Sequence, residues 1–154
     1  MGSRMPCLDD KGTLQMMETG LARIATGAVA GTPKLLLKLE GLALAVAAVW
    51  LYYRSGASWI LFVVLLLAPD LSFLGYRAGP QVGAVAYNAV HTTLLPIMLG
   101  LAGLIVSSPL AQHLALIWLA HIGIDRALGY GLKYGEGFGL THLGRVGKSA
   151  NTGG

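Results

Sequence analysis

Six side chains stand out by position: Glu40, Asp70, Asn88, His91, His121 and Asp125 each interrupt an otherwise apolar stretch. Two carboxylates and two imidazoles supply the oxygen and nitrogen donors that divalent transition metals take, with zinc, iron and manganese the natural candidates. Asn88 stands three residues before His91, and His121 four before Asp125, so on a helix each pair shares one face. Asp70 follows Pro69, and a proline breaks backbone hydrogen bonding, which leaves free backbone groups beside the carboxylate. Around a metal, Asp70, His91, His121 and Asp125 would be the ligands, and Asn88 would orient a ligand or substrate. Glu40 or His142 would handle protons. For His142 the plainer expectation is a solvated tail residue, the sharper one a tail folded beneath the helices. His113 is expected far from the others. Arg126 adjoins Asp125 but points about 100° away around a helix.

Stepping from these residues to the elements that carry them, the chain has 154 residues, 55% hydrophobic and only 12% charged. Soluble domains carry about 25% charged residues. So little polar surface implies an exterior that faces lipid. The net charge of +4 comes from cations at the ends of apolar segments, without a Lys/Arg-rich run, which argues against nucleic acid as a partner. Cys7 is the sole cysteine, so an intrachain disulfide is excluded and a free thiol is expected.

Four apolar segments, about 35–53, 57–76, 81–106 and 110–134, approach or exceed the roughly 20 residues needed to cross a bilayer core. Gly, Pro and Ser fill the short connections. Only helices or closed barrels satisfy their backbone in lipid, and these segments lack the alternation of a barrel. The expected fold is therefore all-α: a four-transmembrane-helix up-down bundle over residues 34–134. A mobile or surface-lying arm (1–33) precedes it, and a Gly-rich cytoplasmic tail (135–154) follows. Pro96 should kink the third span and free the carbonyl of Thr92. With four spans, Arg4, Lys11, Arg23, Lys34, Lys38, Arg77, Lys133, Arg145 and Lys148 fall on one side, and Arg54 alone on the other. The excess of cations on the cytoplasmic side predicts both termini inside, N-in/C-in, in a bacterial cytoplasmic (inner) membrane.

This topology brings all six polar side chains into the cytoplasmic half of the membrane, at about 1.5 Å per residue. Ionisable groups in lipid are costly and turn towards one another. The alternative to a metal or proton site is a hydrogen-bonded network that locks the helices.

The strings Leu39-Glu40-Gly41, Pro69-Asp70-Leu71-Ser72-Phe73-Leu74-Gly75-Tyr76, Gly83-Ala84-Val85-Ala86-Tyr87-Asn88-Ala89-Val90-His91 and His121-Ile122-Gly123-Ile124-Asp125-Arg126 resemble an uncharacterised family of bacterial integral membrane proteins, catalogued as domain of unknown function 4260. Gly129-Tyr130-Gly131-Leu132-Lys133-Tyr134 and Thr141-His142-Leu143-Gly144 fit its C-terminal pattern, so the resemblance spans about residues 35–145. It implies an integral membrane protein and no activity. The Pro-Asp string with intramembrane histidines is also similar to metal-dependent membrane hydrolases of bacteria, although Ser72 stands where those carry a second acidic residue.

The expected function is a metal-dependent hydrolase acting on a lipid-like substrate. The competing expectation is non-enzymatic: an accessory subunit, or a proton- or ion-handling protein, whose polar cluster holds the helices together. A homo-oligomer or a larger membrane complex is the partner either would have within the bilayer. Four short helices without an inverted repeat leave little room for a transporter's alternating halves.

Overall fold

A computed structural model describes residues 11, 12, 15, 27–135 and 139–146, with backbone alone at Arg145. Most of the expected arm, including Cys7, and the end of the tail lie outside the described residues. Helix α1 is Gly31–Arg54. Helix α2, Trp59–Leu66, passes into a 3-10 helix, Ala68–Ala78. Then come α3, Pro80–His91, and α4, Leu94–Ile105. Helix α5, Pro109–Leu128, is followed by a small antiparallel hairpin of β1, Leu140–Thr141, and β2, Gly144–Arg145.

Prolines set the interruptions. Pro69 lacks an N–H, and the helix changes to 3-10 geometry at Leu67, just ahead of it. Pro96 acts one turn upstream, where Thr92 adopts an extended conformation and separates α3 from α4. The third segment is thus two helices rather than one bent helix. The fourth is shorter than the sequence suggests. It ends at Leu128 because Gly129 takes a left-handed conformation (φ 102°) and its amide, with that of Tyr130, closes on the Asp125 carbonyl. Residues 130–134 leave the helix and turn back beneath it.

The packing is antiparallel. Along α1, buried Gly41, Ala45, Ala48 and Tyr52 form one stripe of mostly small residues. It lies on α5, with Gly41 against Arg126 and Gly123, Ala45 against Gly123, and the Tyr52 ring 5.7 Å from that of His113. Small residues let two backbones approach closely, which is how helices gain packing energy where lipid removes the hydrophobic drive. Gly103 admits Ala111 and Gln112 of α5 to α4, and Gly75 admits Ala86 of α3 to the 3-10 helix. Helix α5 is the hub, touching α1, α2 and α4.

The outer surface is apolar. Leu39, Leu42, Val46 and Trp50 of α1 and Ile97, Leu101 and Ile105 of α4 are all exposed. An apolar surface of that extent suits a lipid bilayer. Among the described residues, three stretches are long and apolar enough to cross a membrane: Gly31–Arg54, Trp59–Ala78 and Pro80–Ile105. Helix α5, though 20 residues long, is not among them. Its Gln112, His113, His121, Asp125 and Arg126 lower its hydropathy, and it contributes most to the interior, with Ala115, Ile117, Ala120, His121, Ile122 and Gly123 all buried.

A Cβ at Gly123 would lie 2.6 Å from the amide nitrogen of Ala45, a backbone atom that no rotamer change can move. Gly123→Ala is expected to lower stability by about 1–3 kcal/mol, read by thermal unfolding in detergent. Gly100→Ala, whose new methyl meets only the Ala115 methyl at 3.3 Å, should cost less. Equal losses would argue against the α1–α5 approach as the tight contact.

Candidate metal centre

Three of the four packed segments deliver side chains to one point. The 3-10 helix brings Asp70, α3 brings His91 from its last turn, and α5 brings His121 and Asp125 on one face. One donor atom from each lies within 4.8 Å of all the others. His91 Nε2 and His121 Nε2 are 3.1 Å apart. Asp70 Oδ1 is 3.6 Å from each Nε2, and Asp125 Oδ2 is 3.5 Å from His91 Nε2 and 3.7 Å from His121 Nε2. Both imidazoles are buried, whereas the Asp70 side chain keeps 35% of its surface exposed and marks the open side.

The hydrogen bonding of His91 sets which ring nitrogen faces the cluster. Nδ1 is 2.9 Å from the Tyr87 carbonyl oxygen, which can only accept, so Nδ1 carries the proton and donates. A neutral ring then presents its Nε2 lone pair to the cluster, the arrangement of a metal-ligating histidine oriented by a backbone carbonyl. The Tyr87 ring stacks on His91 at 3.7 Å between centroids, and its hydroxyl donates to Asp125 Oδ2 at 3.1 Å. Phe73 lies beside this pair, its ring centroid 5.1 Å from that of Tyr87 and 6.4 Å from that of His91. The break between α3 and α4 is sealed by Trp118 of α5, whose indole N–H donates to the Val90 carbonyl at 2.7 Å. This holds His91 where the helix ends.

Four of the six expected residues therefore meet; two do not join them. Asn88 turns to the segment after α5. Its Nδ2 donates to the Lys133 carbonyl at 2.8 Å, and its Oδ1 accepts from the Lys133 amide at 2.7 Å. Glu40 is exposed on α1, where its charge acts on Arg126. His113 sits at the opposite end of the bundle beside Tyr52.

His142 is not a solvated tail residue. It is half-buried, its Nδ1 accepts from the Leu132 amide at 2.9 Å, its own amide donates to the Leu132 carbonyl at 3.0 Å, and its carbonyl accepts from Val29 at 2.8 Å. Burial pulls the imidazole below its usual range. Residues 139–146 thus fold beneath the bundle, where His142 joins Val29 to the segment after α5.

Lys133 is the residue that the sequence reading assigned to topology alone. It is 4% exposed, and its ammonium lies 4.8 Å from the centroid of Tyr87 and 5.5 Å from that of Phe73. Burial lowers its pKa, while the charges of Asp125 and Asp70 raise it. The signal was present in Gly129 and Gly131, which end a helix and return the chain.

Asn88→Leu would remove both bonds to the Lys133 backbone. The expected result is faster proteolysis in the segment after Gly129, with helical circular dichroism unchanged. Equal cleavage rates in the two proteins would show that the segment is held by its other contacts.

No curated protein and no solved structure matches this chain. The profile of one family matches residues 34–146, well over half of the sequence. The chain therefore belongs to the family described as domain of unknown function (DUF4260).

Proposed function

We propose that the cluster is a metal centre and that the protein is a membrane-embedded, metal-dependent hydrolase acting on a lipid-like substrate. The observation that carries the proposal is the spacing of the donor atoms. Ligands bound tetrahedrally at about 2.0–2.2 Å lie about 3.3–3.6 Å from one another. The five donor separations given above run from 3.1 to 3.7 Å. Two nitrogens and two oxygens at that spacing favour zinc, with iron or manganese as alternatives. Two carboxylates offset the charge of a divalent ion, and the neutral imidazoles add none, so an ion could sit in apolar surroundings without excess charge.

A divalent ion supplies Lewis acidity and lowers the pKa of a water. A cavity of about 10 Å³ lined by Tyr87, His91, Asp125 and Arg126 is about the size of one water. Hydrolysis would join that water's oxygen to an acyl or phosphoryl centre and break the bond to the leaving group. One water proton passes to the leaving group and the other stays with the hydrolysed product. Asp125 Oδ2, aligned by Tyr87, would be a ligand, so a base role at the cavity would fall to the other oxygen of the same carboxylate. A bilayer location, four spans including α5, and termini on the cytoplasmic side complete the proposal, supported by the cations near Gly31 and Leu128.

One observation favours a second reading. At 3.1 Å, one imidazole Nε2–H can donate to the other Nε2, which would make the cluster a hydrogen-bonded lock. Elemental mass spectrometry of detergent-purified protein separates the two. Near-stoichiometric metal is expected in the wild type, lost in His121→Ala and in Asp125→Ala. A folded wild type that stays metal-free after resupply would defeat the metal reading and favour the lock.

A further inference from the structure

Helices α2 and α4 both pack on α5, and an apolar hollow of about 300 Å³ remains among them. Leu65 of α2, Ala68 of the 3-10 helix, Val90 of α3, Leu99 of α4, and Ile117 and Trp118 of α5 line it. The one polar side-chain group in that lining, the Trp118 indole N–H, is committed to the Val90 carbonyl at 2.7 Å. The hollow is separate from the donor cluster, and its occupant does not depend on a metal.

Water, empty space or hydrocarbon can occupy such a volume. A buried water needs two to four polar partners, and this lining has none to spare. Left empty, the hollow deprives its lining of dispersion contacts, and packed interiors hold few voids larger than a water molecule. Hydrocarbon meets neither objection. It is also the medium next to the hollow. Val64 and Leu67 stand beside Leu65 and Ala68, and Leu95 and Met98 stand within a turn of Leu99; all four are exposed. The rim is thus continuous with the apolar outer surface that suits a bilayer.

The depth agrees. Ile117 belongs to the same buried cluster as Ala48 of α1, which stands six residues before the end of the candidate span Gly31–Arg54. That is about 9 Å inside the end of the helix, at the level of acyl chains rather than of headgroups. At about 30 Å³ for a unit the size of a water or a methylene, the hollow holds roughly ten such units, a stretch of an acyl chain.

We propose that this hollow is a lipid-binding site that takes the hydrocarbon chain of a bilayer phospholipid, inserted between α2 and α4 against the Trp118 ring. A chain held there fills the space beside the Trp118–Val90 bond and keeps water from it, at the point where α3 and α4 part.

The test uses the full chain in nanodiscs, one copy in each, with Trp50→Phe and Trp59→Phe so that Trp118 is the sole tryptophan. The probe is phosphatidylcholine brominated midway along its acyl chains, a contact quencher of indole, against the unbrominated lipid. About half or more of the Trp118 emission should be lost. Ala68→Phe and Val90→Phe fill the hollow from two different elements, and each should at least halve the quenching while helical circular dichroism is kept. Ile105→Phe, on the exposed end of α4, should leave the quenching unchanged. Absence of quenching would show that no chain enters. Quenching indifferent to both filling variants, or lowered as much by Ile105→Phe, would assign the contact to lipid outside the hollow. Quenching that disappears when two copies share a disc would make this face an interface between copies. Each of these three results overturns the proposal.

Discussion

Ionisable side chains are expensive in an apolar medium unless each finds a partner there, and that expense governs this structure. Asp70, His91 and the pair His121 and Asp125 come from three segments of a chain whose outer surface is largely Leu, Ile and Val. The two buried imidazoles need polar partners at their positions. Brought within hydrogen-bonding or ligand distance the four side chains compensate one another, and the helices that carry them must then take one register. The same constraint explains Trp118. Breaking a helix inside an apolar bundle exposes a carbonyl, and the indole N–H of α5 answers the one at Val90.

The breaks themselves are what aim the ligands. A regular helix through residue 70 would carry Asp70 round by about 100° per residue. The 3-10 stretch beginning at Ala68 changes that angle and turns the carboxylate to the histidines. His91 is the final residue of α3, and its ring folds back along the helix onto Tyr87, one turn earlier, where Nδ1 bonds the Tyr87 carbonyl. Each proline therefore acts on the site through a neighbour. Pro69 does so for the residue that follows it, and Pro96 for a residue five positions upstream.

Much of this was legible in the sequence because the signals are local. Apolar runs, loop residues and out-of-place polar groups gave the helices and the four cluster residues. Pro69 and Pro96 gave the positions of the irregularities, though not that Pro96 would separate two helices. What escaped was the return of the chain after Gly129. Its cause is long-range: Asn88 binding the Lys133 backbone, and His142 binding Leu132 and Val29. Asn88 shares a helix with His91 but not its target, because i, i+3 spacing fixes a common face without fixing where two side chains of different length end. Glu40 illustrates the same limit. Its depth matched the cluster, but Gly41, its neighbour, is the residue that α1 turns to α5.

Helix α5 unites these points. Unlike α1, it lacks a stretch as apolar as a membrane span, and it is the most enclosed of the described helices, two properties that require each other. A helix shielded by α1, α2 and α4 can carry His121 and Asp125, and only a helix with something to hide gains from being shielded. Its backbone closely approaches that of α1 at Gly123, between those two side chains. A close backbone contact thus sits at the level of the polar cluster. A looser fit there would let α5 slide or rotate against its neighbours, and a slide of one residue would move a donor atom by about 1.5 Å. Donor atoms 3.1 to 3.7 Å apart would not keep their spacing through that displacement. The glycine that permits close packing is therefore as much a condition of the cluster's geometry as the side chains that compose it.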